Sequence, residues 1–563
     1  GDVILKGSAG LSVANAGTIE GSVSLAQGGI ITNGVAGSTA ARIDGFSTNI
    51  TGGAGSIANY GTIFGFFDGV YLSAGGSVDN AQPGAVITTG TAGQDGIFVG
   101  GVTPGTVTNL GTVEVNGSVG AAINLATAGG TATNGSPSVT SAFAGFALSQ
   151  AGIGFYSQPA ATVTNFATFS AANGIFLNAG GSVANTGTAA QIYGRFTGLF
   201  AGGAATIDNS GTIEAVSRYG IELTSGSIVN GSTAATAASI VADRADLATP
   251  GVTTTSTAVG VGIVTSGSLT NYGSVEGARA GVYIKGSAFV VNGPSGAAAA
   301  LLEGLYAGLA TLGTSTGSVT LTNFGTIAGI GSAGIGVDLR NIGDNTLSNS
   351  GTISGAGGTA VAFGAGEDLM IVRPGAAFDG VVDGGAGLNE IDFHTAGKIA
   401  LKFSSFATVR LATGGAESLA LQPLNLAGLP GNAIAVIDGK AGDTVSAHAL
   451  TAGEEATVAG GAGNDLFVGG PGKEIFTGGA GADTFDFSAA ALAVSDRVLG
   501  GTGADTLVMT NAGTIAASGV GGVETWRLAN GKPSSLQLTT ANFTGTTGTA
   551  ITVIDGNAGD TVS

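Results

Sequence analysis

A short phrase, (V/I/L)-x-N-x-G-T-(I/V), recurs along the first 360 residues and constrains the fold more than any other feature of the chain. Self-similarity of this kind is the signature of repeat architectures. Several intervals between its asparagines are 20 or 21 residues and others are longer, as expected for loops of variable length on a constant core. The clear copies are Val13–Ile19, Ile57–Ile63, Val107–Val113, Ile207–Ile213, Leu269–Val275, Leu321–Ile327 and Leu347–Ile353, and looser copies carry Asn33, Asn80, Asn134, Asn165, Asn185, Asn230 and Asn292.

Each copy of the phrase has the same physical plan. Alternating apolar residues such as Val13 and Ile19 predict short strands with one face inward. Glycine after the asparagine permits a corner of the backbone without a Cβ penalty. We expect the asparagines to lie at that corner and to bond to one another in a row; the alternative is that Asn-x-Gly marks hairpin turns on the surface.

Two segments of the repeat region are ambiguous. The interval from Asn230 to Asn271 is 41 residues, which predicts about two repeat units. Ala297–Gly313 is rich in helix formers, but it aligns with Ala189–Gly202 and Ala40–Gly53, each of which precedes an Asn-x-Gly-Thr-Ile phrase. A helix in one turn and strands in its counterparts would be inconsistent, so we predict strands in all three segments.

The composition narrows the classes of function. Charged residues make up only 9% of the chain, and 17 Lys and Arg stand against 36 Asp and Glu for a net charge of −19. A phosphate-binding surface needs clustered Lys and Arg, so we expect no nucleic-acid partner. The sequence has no cysteine and no run of about 18 apolar residues that would predict a transmembrane helix.

A second repeat begins after residue 360. Gly460–Val468, Gly469–Thr477 and Gly478–Asp486 are three consecutive nonapeptides of the form G-G-x-G-x-D-x-U-x, where U is a large apolar residue. Isolated copies occur at Phe363–Ile371, Gly384–Asp392 and Gly500–Val508.

The spacing of the nonapeptides predicts a metal site. If each nonamer is one turn plus one strand, two nonamers complete a coil, and Asp465 and Asp483, 18 residues apart, stack on the same side. Phe467 and Phe485 should then stack inside. Two carboxylates joined by carbonyl oxygens from glycine turns offer the oxygen ligands that Ca²⁺ prefers. The alternative is a glycine-rich turn array with solvated acids.

These motifs resemble two known groups of proteins. Residues 1–360 are similar to the right-handed parallel β-helix repeats of bacterial autotransporter passengers and large surface adhesins. Residues 361–563 resemble the RTX (repeats-in-toxin) family, whose members are typically exported by type I secretion and fold on meeting extracellular calcium. The expected fold is therefore all-β, a right-handed parallel β-helix followed by a smaller calcium-binding β-roll region. The resemblance implies Ca²⁺ ligands at Asp368, Asn389, Gly460, Ala462, Asp465, Glu474, Gly478, Ala480, Asp483 and Asp505, of which Asn389 and Glu474 depart from the motif's aspartate.

A larger duplication surrounds the nonapeptides. Ile434–Ser446 (IAVIDGKAGDTVS) recurs as Ile551–Ser563 (ITVIDGNAGDTVS), 117 residues later. The first copy continues into the nonapeptides, so we expect the parent protein to extend beyond Ser563 with further glycine-aspartate repeats.

Taken together, the motifs favour an extracellular, bacterial cell-surface protein with a structural or adhesive role, such as an S-layer subunit, a filament or an adhesin stalk. We expect self-association into a lattice or filament, and cell-surface polysaccharide or host glycan is a further candidate partner. The alternatives are a secreted polysaccharide-active β-helix enzyme and an RTX-type toxin or effector. Acidic residues such as Asp44, Asp208 and Glu214 are scattered, and we predict no catalytic role for His394 or His448, the only histidines.

Overall fold

The structure is a computed structural model that describes residues 1–7, 10–92, 94–127, 129–146, 152–247, 256–293, 299–411, 415–546, 548, 550–555 and 559–563. It is nearly all β, with 3% helix and a parallel β-solenoid of about 22 turns, which confirms the predicted fold class. The chain divides into two compact units. Unit 1 comprises Gly1–Gly317, Asn323–Val337 and Ser354–Gly357, and unit 2 comprises Ser318–Thr322, Asp338–Ile353 and Gly358–Ser563.

A turn of unit 1 contains three strands. In one such turn, Gly55–Asn59 lies in sheet A, Thr62–Gly65 in sheet B and Val70–Leu72 in sheet C. Each strand pairs in parallel with its counterpart one turn on, so that Asn59 aligns with Asn80, Ile63 with Ile87 and Val70 with Ile97. The short strands follow from the alternating apolar pattern, because every second side chain faces the interior.

The described part of residues 1–317 contains one helix, Arg244–Leu247. Its strands are Val3–Leu5, Leu11–Asn15, Thr18–Glu20, Val23–Leu25, Gly29–Asn33, Arg42–Gly45, Thr48–Ile50, Gly55–Asn59, Thr62–Gly65, Val70–Leu72, Gly76–Asn80, Val86–Thr89, Ile97–Val99, Gly105–Asn109, Thr112–Val115, Ala121–Leu125, Gly130–Asn134, Phe143–Phe146, Ile153–Ser157, Ala161–Asn165, Thr168–Leu177, Gly181–Asn185, Gln191–Asn209, Thr212–Ala215, Tyr219–Asn230, Ser239–Ala242, Val259–Asn271, Ser274–Gly277, Ala280–Ile284, Ser287–Asn292, Leu301–Gly304 and Ala307–Thr311.

The repeat asparagines form the predicted row. Each ends a strand of sheet A, and its Nδ2 donates a hydrogen bond of 2.7–2.9 Å to Oδ1 of the asparagine one turn further along. The second Nδ2 hydrogen typically satisfies a backbone carbonyl at the corner, as from Asn59 to Gly61. The ladder confirms stacked turns and excludes the hairpin alternative for Asn15, Asn33, Asn59, Asn80, Asn109, Asn134, Asn165, Asn185, Asn209, Asn230, Asn271, Asn292 and Asn323.

The prediction of two units between Asn230 and Asn271 is wrong. Asn230 Nδ2 donates directly to Asn271 Oδ1 over 2.8 Å, so these two asparagines lie one turn apart, and the turn between them is enlarged by an insertion. The insertion includes the helix Arg244–Leu247. Spacing alone could not separate one enlarged turn from two ordinary turns, because a solenoid tolerates loop insertions at its corners.

The helix-like segment of the repeat region is β, as predicted. Within Ala297–Gly313, residues 297 and 298 lie outside the described residues, and the rest contains the strands Leu301–Gly304 and Ala307–Thr311. Leu302 aligns in parallel with Ile327, and Gly304 with Gly329. The sheet register therefore overrides the helical propensity of the alanines and leucines.

In the nonapeptide region, a turn of unit 2 contains two strands. Sheet D includes Glu455–Ala459 and Lys473–Ala480, and sheet E includes Leu466–Val468 and Thr484–Phe487. The paired strands are parallel and in register, so that Phe467 aligns with Phe485, 18 residues away. Two nonamers therefore complete one turn, as predicted.

The described part of residues 318–563 contains one α-helix, Pro423–Leu426, and the 3₁₀ turns Pro430–Asn432, Ala517–Gly519 and Thr540–Phe543. Its strands are Val319–Asn323, Thr326–Gly329, Ile335–Leu339, Thr346–Asn349, Thr352–Phe363, Leu369–Val372, Ala377–Asp383, Glu390–Phe393, Gly397–Lys398, Phe403–Ser404, Thr408–Arg410, Glu417–Ala420, Ala433–Ile437, Thr444–Ser446, Glu455–Ala459, Leu466–Val468, Lys473–Ala480, Thr484–Phe487, Arg497–Thr502, Thr506–Met509, Thr514–Ile515, Val520–Gly521, Thr525–Arg527, Ser535–Leu536, Thr552–Ile554 and Thr561–Val562.

The interior of unit 2 is aromatic where the nonapeptides lie. The rings of Phe467 and Phe485 stack with centroids 5.2 Å apart, which confirms the predicted pair. Phe476 from sheet D packs against Phe467 from the opposite sheet at 5.5 Å. Large side chains of this kind supply most of the burial available to a narrow solenoid. They also fix the register of the strands that carry the turns on either side.

Candidate metal centre

A column of carboxylates runs along one edge of unit 2, at the turns between sheets D and E. The backbone N–H of each acid donates to a carboxylate oxygen of the acid one turn further on: Asp443 to Asp465 over 2.9 Å, Asp465 to Asp483 over 2.8 Å and Asp483 to Asp505 over 2.8 Å. The column extends at both ends, because Glu417 N donates to Asp443 Oδ1 and Asp505 N donates to Glu524 Oε2. The nonapeptide spacing therefore brings Asp465 and Asp483 together, as predicted, and Asp505 continues the column 22 residues after Asp483.

The side chains of this column are buried. Asp443, Asp465, Asp483 and Asp505 are each exposed by 2% or less. One oxygen of each accepts the backbone hydrogen bond described above. The second oxygen of Asp443, Asp483 and Asp505 is buried and has no hydrogen-bond partner. Buried ionised oxygens without a partner are costly, so this column needs either protons or a cation.

The glycine turns bring carbonyl oxygens to the same edge. A Cβ built on Gly478 would lie 2.3 Å from Asp483 Oδ2 and 2.3 Å from the carbonyl oxygen of Gly500. A Cβ on Gly460 would lie 1.9 Å from the carbonyl oxygen of Gly478 and 2.8 Å from Asp465 Oδ2. Only glycine allows carboxylate and carbonyl oxygens to approach the backbone this closely, which explains the glycine at the first position of the nonapeptide turns Gly460–Val468 and Gly478–Asp486.

The other predicted turn residues differ in their exposure. Gly478 is buried and Gly460 half-buried, whereas Ala462 and Ala480 are exposed at the outer side of their turns. The backbone N–H of Ala480 donates to the carbonyl of Gly461 over 3.0 Å, which holds consecutive turns in register. The structure thus places all four residues on the edge that carries the acids.

Burial raises the pKa values of these acids. Burial is the main reason that the pKa of Asp483 rises to about 6, and the charges of Asp465 and Asp505 raise it further. Burial also raises the pKa values of Asp465 and Asp505. A bound cation would reverse this effect, because it favours the ionised carboxylates.

Glu474 lies on the opposite edge of unit 2. Its side chain is fully buried and both carboxylate oxygens lack a hydrogen-bond partner. Its backbone N–H donates to Asp496 Oδ1 over 3.1 Å. The acid one turn further along is therefore Asp496, which does not belong to a nonapeptide. Burial, with the charge of Asp496, raises the pKa of Glu474 to about 8.

Asp368 and Asn389 lie in a separate column that begins with Asn345. Asp368 Oδ1 accepts hydrogen bonds of 2.8 Å from both the backbone N–H and Nδ2 of Asn345, and Asp368 N donates to Asn389 Oδ1 over 2.9 Å. Burial raises the pKa of Asp368 to about 6. The structure does not bring this pair to the edge that carries Asp465, so their role as calcium ligands stays a prediction.

Five acids of these edges did not stand out as ligand candidates in the sequence: Glu417, Asp438, Asp443, Asp496 and Glu524. Asp443 and Asp438 had a usable signal, since the turn D-G-K-A-G-D has the same length as G-G-A-G-N-D. They were missed because the first position is Asp and not Gly, and because the turn lies 22 residues from the next one and not 18. Asp496 and Glu524 follow no motif.

Side chains alone do not complete a metal site on either edge. Among the residues that the structure describes, no three His, Cys, Asp or Glu side chains surround a point that could hold a metal ion. Ca²⁺ takes six to eight oxygen ligands and accepts backbone carbonyls as readily as carboxylates. Pairs of stacked aspartates beside glycine carbonyls fit that requirement, and they do not fit metals that select nitrogen or sulfur.

Comparison with known families agrees with this chemistry. Residues 456–485 match the family model of the RTX calcium-binding nonapeptide repeat (4 copies). With the parallel β-solenoid, this match supports an RTX protein with a β-helix repeat region. The repeats indicate Ca²⁺ binding and are typical of secreted proteins. The comparisons with curated proteins and with solved structures give no significant match. No helix in the described ranges is long and apolar enough to cross a membrane.

Proposed function

We propose that this protein is an extracellular structural or adhesive protein of a bacterial surface. In this proposal Ca²⁺ stabilises the folded state of unit 2, and the protein associates with copies of itself. The observation that carries the calcium part is the column Asp465, Asp483 and Asp505, which stack in register. Asp483 and Asp505 each have a buried carboxylate oxygen that lacks a hydrogen-bond partner. Ca²⁺ binding to the folded turns alone would add stability to the native state.

The proposed ligands are oxygens of successive glycine turns. Asp465, Asp483 and Asp505 supply carboxylates, and the turns around Gly460, Ala462, Gly478 and Ala480 supply carbonyls. Glu474 is proposed as a ligand on the opposite edge, because a fully buried carboxylate without a hydrogen-bond partner needs a cation or a proton.

An exposed aromatic cluster in unit 1 supports self-association. Phe46, Phe66 and Phe67 are 62%, 42% and 44% exposed, and their ring centroids lie 5.0–6.2 Å apart. Contiguous apolar surface of this kind typically marks an interaction site. We propose a second copy of this chain as its occupant, since a lattice or filament requires contacts between identical molecules.

Imaging with and without a chelator tests the assembly. Purified protein in millimolar calcium should form ordered sheets or fibres by electron microscopy, and EGTA should disperse them. Monomers that are unchanged by either treatment would contradict self-assembly. Calcium titration of the same sample measures calcium binding separately from assembly. A failure of either prediction can therefore be recognised independently of the other.

The aromatic cluster has a matched control. Phe46→Ser with Phe66→Ser should reduce assembly in light scattering, because it removes most of the exposed ring surface. Phe289→Ser changes a similarly exposed phenylalanine, 65% exposed, outside the cluster and should leave assembly intact. Equal assembly in both variants would remove the cluster from the proposal.

One groove favours a second candidate function, a polysaccharide-active enzyme. It has a volume of about 710 Å³ and is lined by Ser446, His448, Asp486 and neighbouring residues of unit 2. Histidine and aspartate are residue types that acid–base chemistry uses, and both line this groove. Release of reducing sugar from surface polysaccharides by the wild-type protein, lost in His448→Ala, would favour this candidate over a structural role.

A further inference from the structure

The duplicated segment contains an acidic turn outside the matched repeats. Ile434–Ser446 and Ile551–Ser563 are identical at eleven of thirteen positions, and both contain D-G-x-A-G-D. Register pairs Ile437 with Ala459 and Thr444 with Leu466, so this turn lies directly against Gly460–Asp465. Asp443 therefore aligns with Asp465, and Asp438 aligns with Gly460. The matched repeats carry glycine at that first position, so Asp438 is an added carboxylate.

Asp438 and Asp443 are both buried at this turn. They are 8% and 1% exposed. Asp438 Oδ1 accepts the N–H of Gly439 over 2.5 Å, and Asp443 Oδ1 accepts the N–H of Glu417 over 2.6 Å. The Oδ2 atoms of both residues are buried and have no hydrogen-bond partner. Two acids five residues apart thus leave two unsatisfied anionic oxygens in one turn.

Two neighbouring negative charges, those of Asp443 and Asp465, act on Asp438. Its carboxylate is within hydrogen-bonding reach of the carboxylates of Asp443 and Asp465. Lys440, the basic residue of the same turn, is exposed to solvent. Carboxylates this close repel one another strongly unless a positive charge or a proton lies between them.

The second copy repeats the contact. Asp560 is within hydrogen-bonding reach of Asp555, as Asp443 is of Asp438. Asp560 Oδ1 accepts a backbone N–H, that of Ser534, over 2.5 Å, as Asp443 Oδ1 accepts that of Glu417. Asp560 Oδ2 also lacks a partner. The same pair of acids therefore recurs 117 residues away, with the same kind of backbone contact at its second member.

We propose that the D-G-x-A-G-D turn is a divalent-cation site of its own, in which Asp438 Oδ2 and Asp443 Oδ2 bind Ca²⁺ together with carbonyl oxygens of the turn. It differs from the matched repeats because the first residue contributes a side-chain carboxylate and not only its backbone. More anionic ligands tighten calcium binding, so this turn should bind Ca²⁺ before the nonapeptides do.

Hydrogen exchange of the full 563-residue chain tests the site with Ca²⁺ alone as the probe. Calcium should protect the amides of residues 433–446 at a lower concentration than those of residues 460–486. Asp438→Asn keeps the shape and removes one charge, so it should raise the calcium concentration for half-protection of residues 433–446 by about tenfold or more. The protection of residues 460–486 should remain.

Two further variants keep the test decisive. Lys440→Asn makes the change that the second copy carries at Asn557, and it should leave calcium protection unaltered. Asp555→Asn should weaken calcium protection around residues 551–555 in the same way as Asp438→Asn does in the first copy. Protection of residues 433–446 that follows pH but not calcium would mean a shared proton, and it would overturn the proposal. Loss of calcium protection at both turns of the wild type would instead contradict the proposed function.

Discussion

At the scale of single residues, the difference between asparagine and aspartate separates the two kinds of ladder. An asparagine amide is both donor and acceptor, so Asn209 can donate to Asn230 and accept from Asn185, each over 2.7 Å. An ionised carboxylate only accepts hydrogen bonds, so the stacked aspartates need backbone N–H groups as donors. Asp483, for example, accepts from the N–H of Asp465 with one oxygen and has no partner for the other. An amide ladder is therefore complete without a ligand, whereas an acid ladder calls for a cation.

Asp483 is the residue whose loss should affect calcium most. It lies between Asp465 and Asp505 in the column, so its carboxylate borders two successive turns. Asp483→Asn should weaken calcium binding by about tenfold or more, because a charged ligand is lost from both turns. Isothermal titration with Ca²⁺ measures the change.

Asp368→Asn provides the matched comparison. The neighbours of Asp368 in its column are the neutral amides of Asn345 and Asn389, and Asn345 already occupies its Oδ1. The same substitution should therefore change calcium affinity much less than at Asp483. Equal losses of calcium affinity in the two variants would show that Asp368 contributes as much to calcium binding as Asp483 does. That result would contradict this expectation.

Without calcium, the buried acids should make the protein less stable as the pH rises. The pKa of Glu474 is about 8 and that of Asp483 about 6, both above the unfolded values near 4. The folded state then binds more protons than the unfolded state between about pH 4 and pH 8, so the free energy of unfolding falls across that window. Urea denaturation in EGTA at pH 5 and pH 8 measures this.

Calcium should reverse that pH dependence. Ca²⁺ binds the ionised carboxylates, so protons compete with it and its affinity should fall as the pH drops below about 6. Asp483→Asn removes one titrating group and should flatten the calcium-free curve between pH 4 and pH 6. A calcium-free protein that becomes more stable from pH 5 to pH 8 would contradict the assignment.

At the scale of elements, the sequence predicted what repeats and missed what is irregular. The Asn phrase predicted stacked strands because its apolar positions and its corner glycine recur together, and Asn59 bonds to Asn80 as expected. The nonapeptides predicted the pairing of Phe467 with Phe485. The enlarged turn after Asn230 was misread because its 41 residues equal the length of two ordinary turns. Asp496 was missed because it belongs to no repeated motif.

Breaking the asparagine ladder should cost stability at one turn. Asn209 is 1% exposed, and its Nδ2 also donates to the carbonyls of Gly211 and Ser239. Asn209→Ala removes one side-chain partner from Asn185 and one from Asn230, so the free energy of unfolding should fall by about 2–3 kcal/mol. Chemical denaturation followed by circular dichroism measures the loss.

An exposed asparagine serves as the control for the ladder. Asn116 is exposed, and its Nδ2 donates to Thr88 and to the carbonyl of Thr89. Asn116→Ala should cost less than about 1 kcal/mol, because water replaces the lost partners. A loss at Asn209 as small as that at Asn116 would show that the ladder is incidental to stability.

At the scale of the whole molecule, the two units should respond differently to calcium. In unit 1 the ladder Asn15 to Asn323 satisfies its own polar groups and the interior is mostly aliphatic. In unit 2 the buried acids Asp443, Asp483 and Asp505 each have a carboxylate oxygen without a hydrogen-bond partner. Stacked turns are stabilised mainly by their neighbours, so a ligand that binds one set of turns need not stabilise distant ones.

Calorimetry of the full chain should therefore show two transitions of which one depends on calcium. A ligand at one hundred times its dissociation constant adds about 2.7 kcal/mol for each site, so the transition of unit 2 should move to higher temperature as calcium is added. The transition of unit 1 should stay within about 2 °C, because its ladder binds no ion. Hydrogen exchange at matched temperatures assigns each transition to its unit. If the amides around Asn209 open together with those around Asp483 when EGTA is added, the two units share one calcium-dependent unfolding event and this prediction fails.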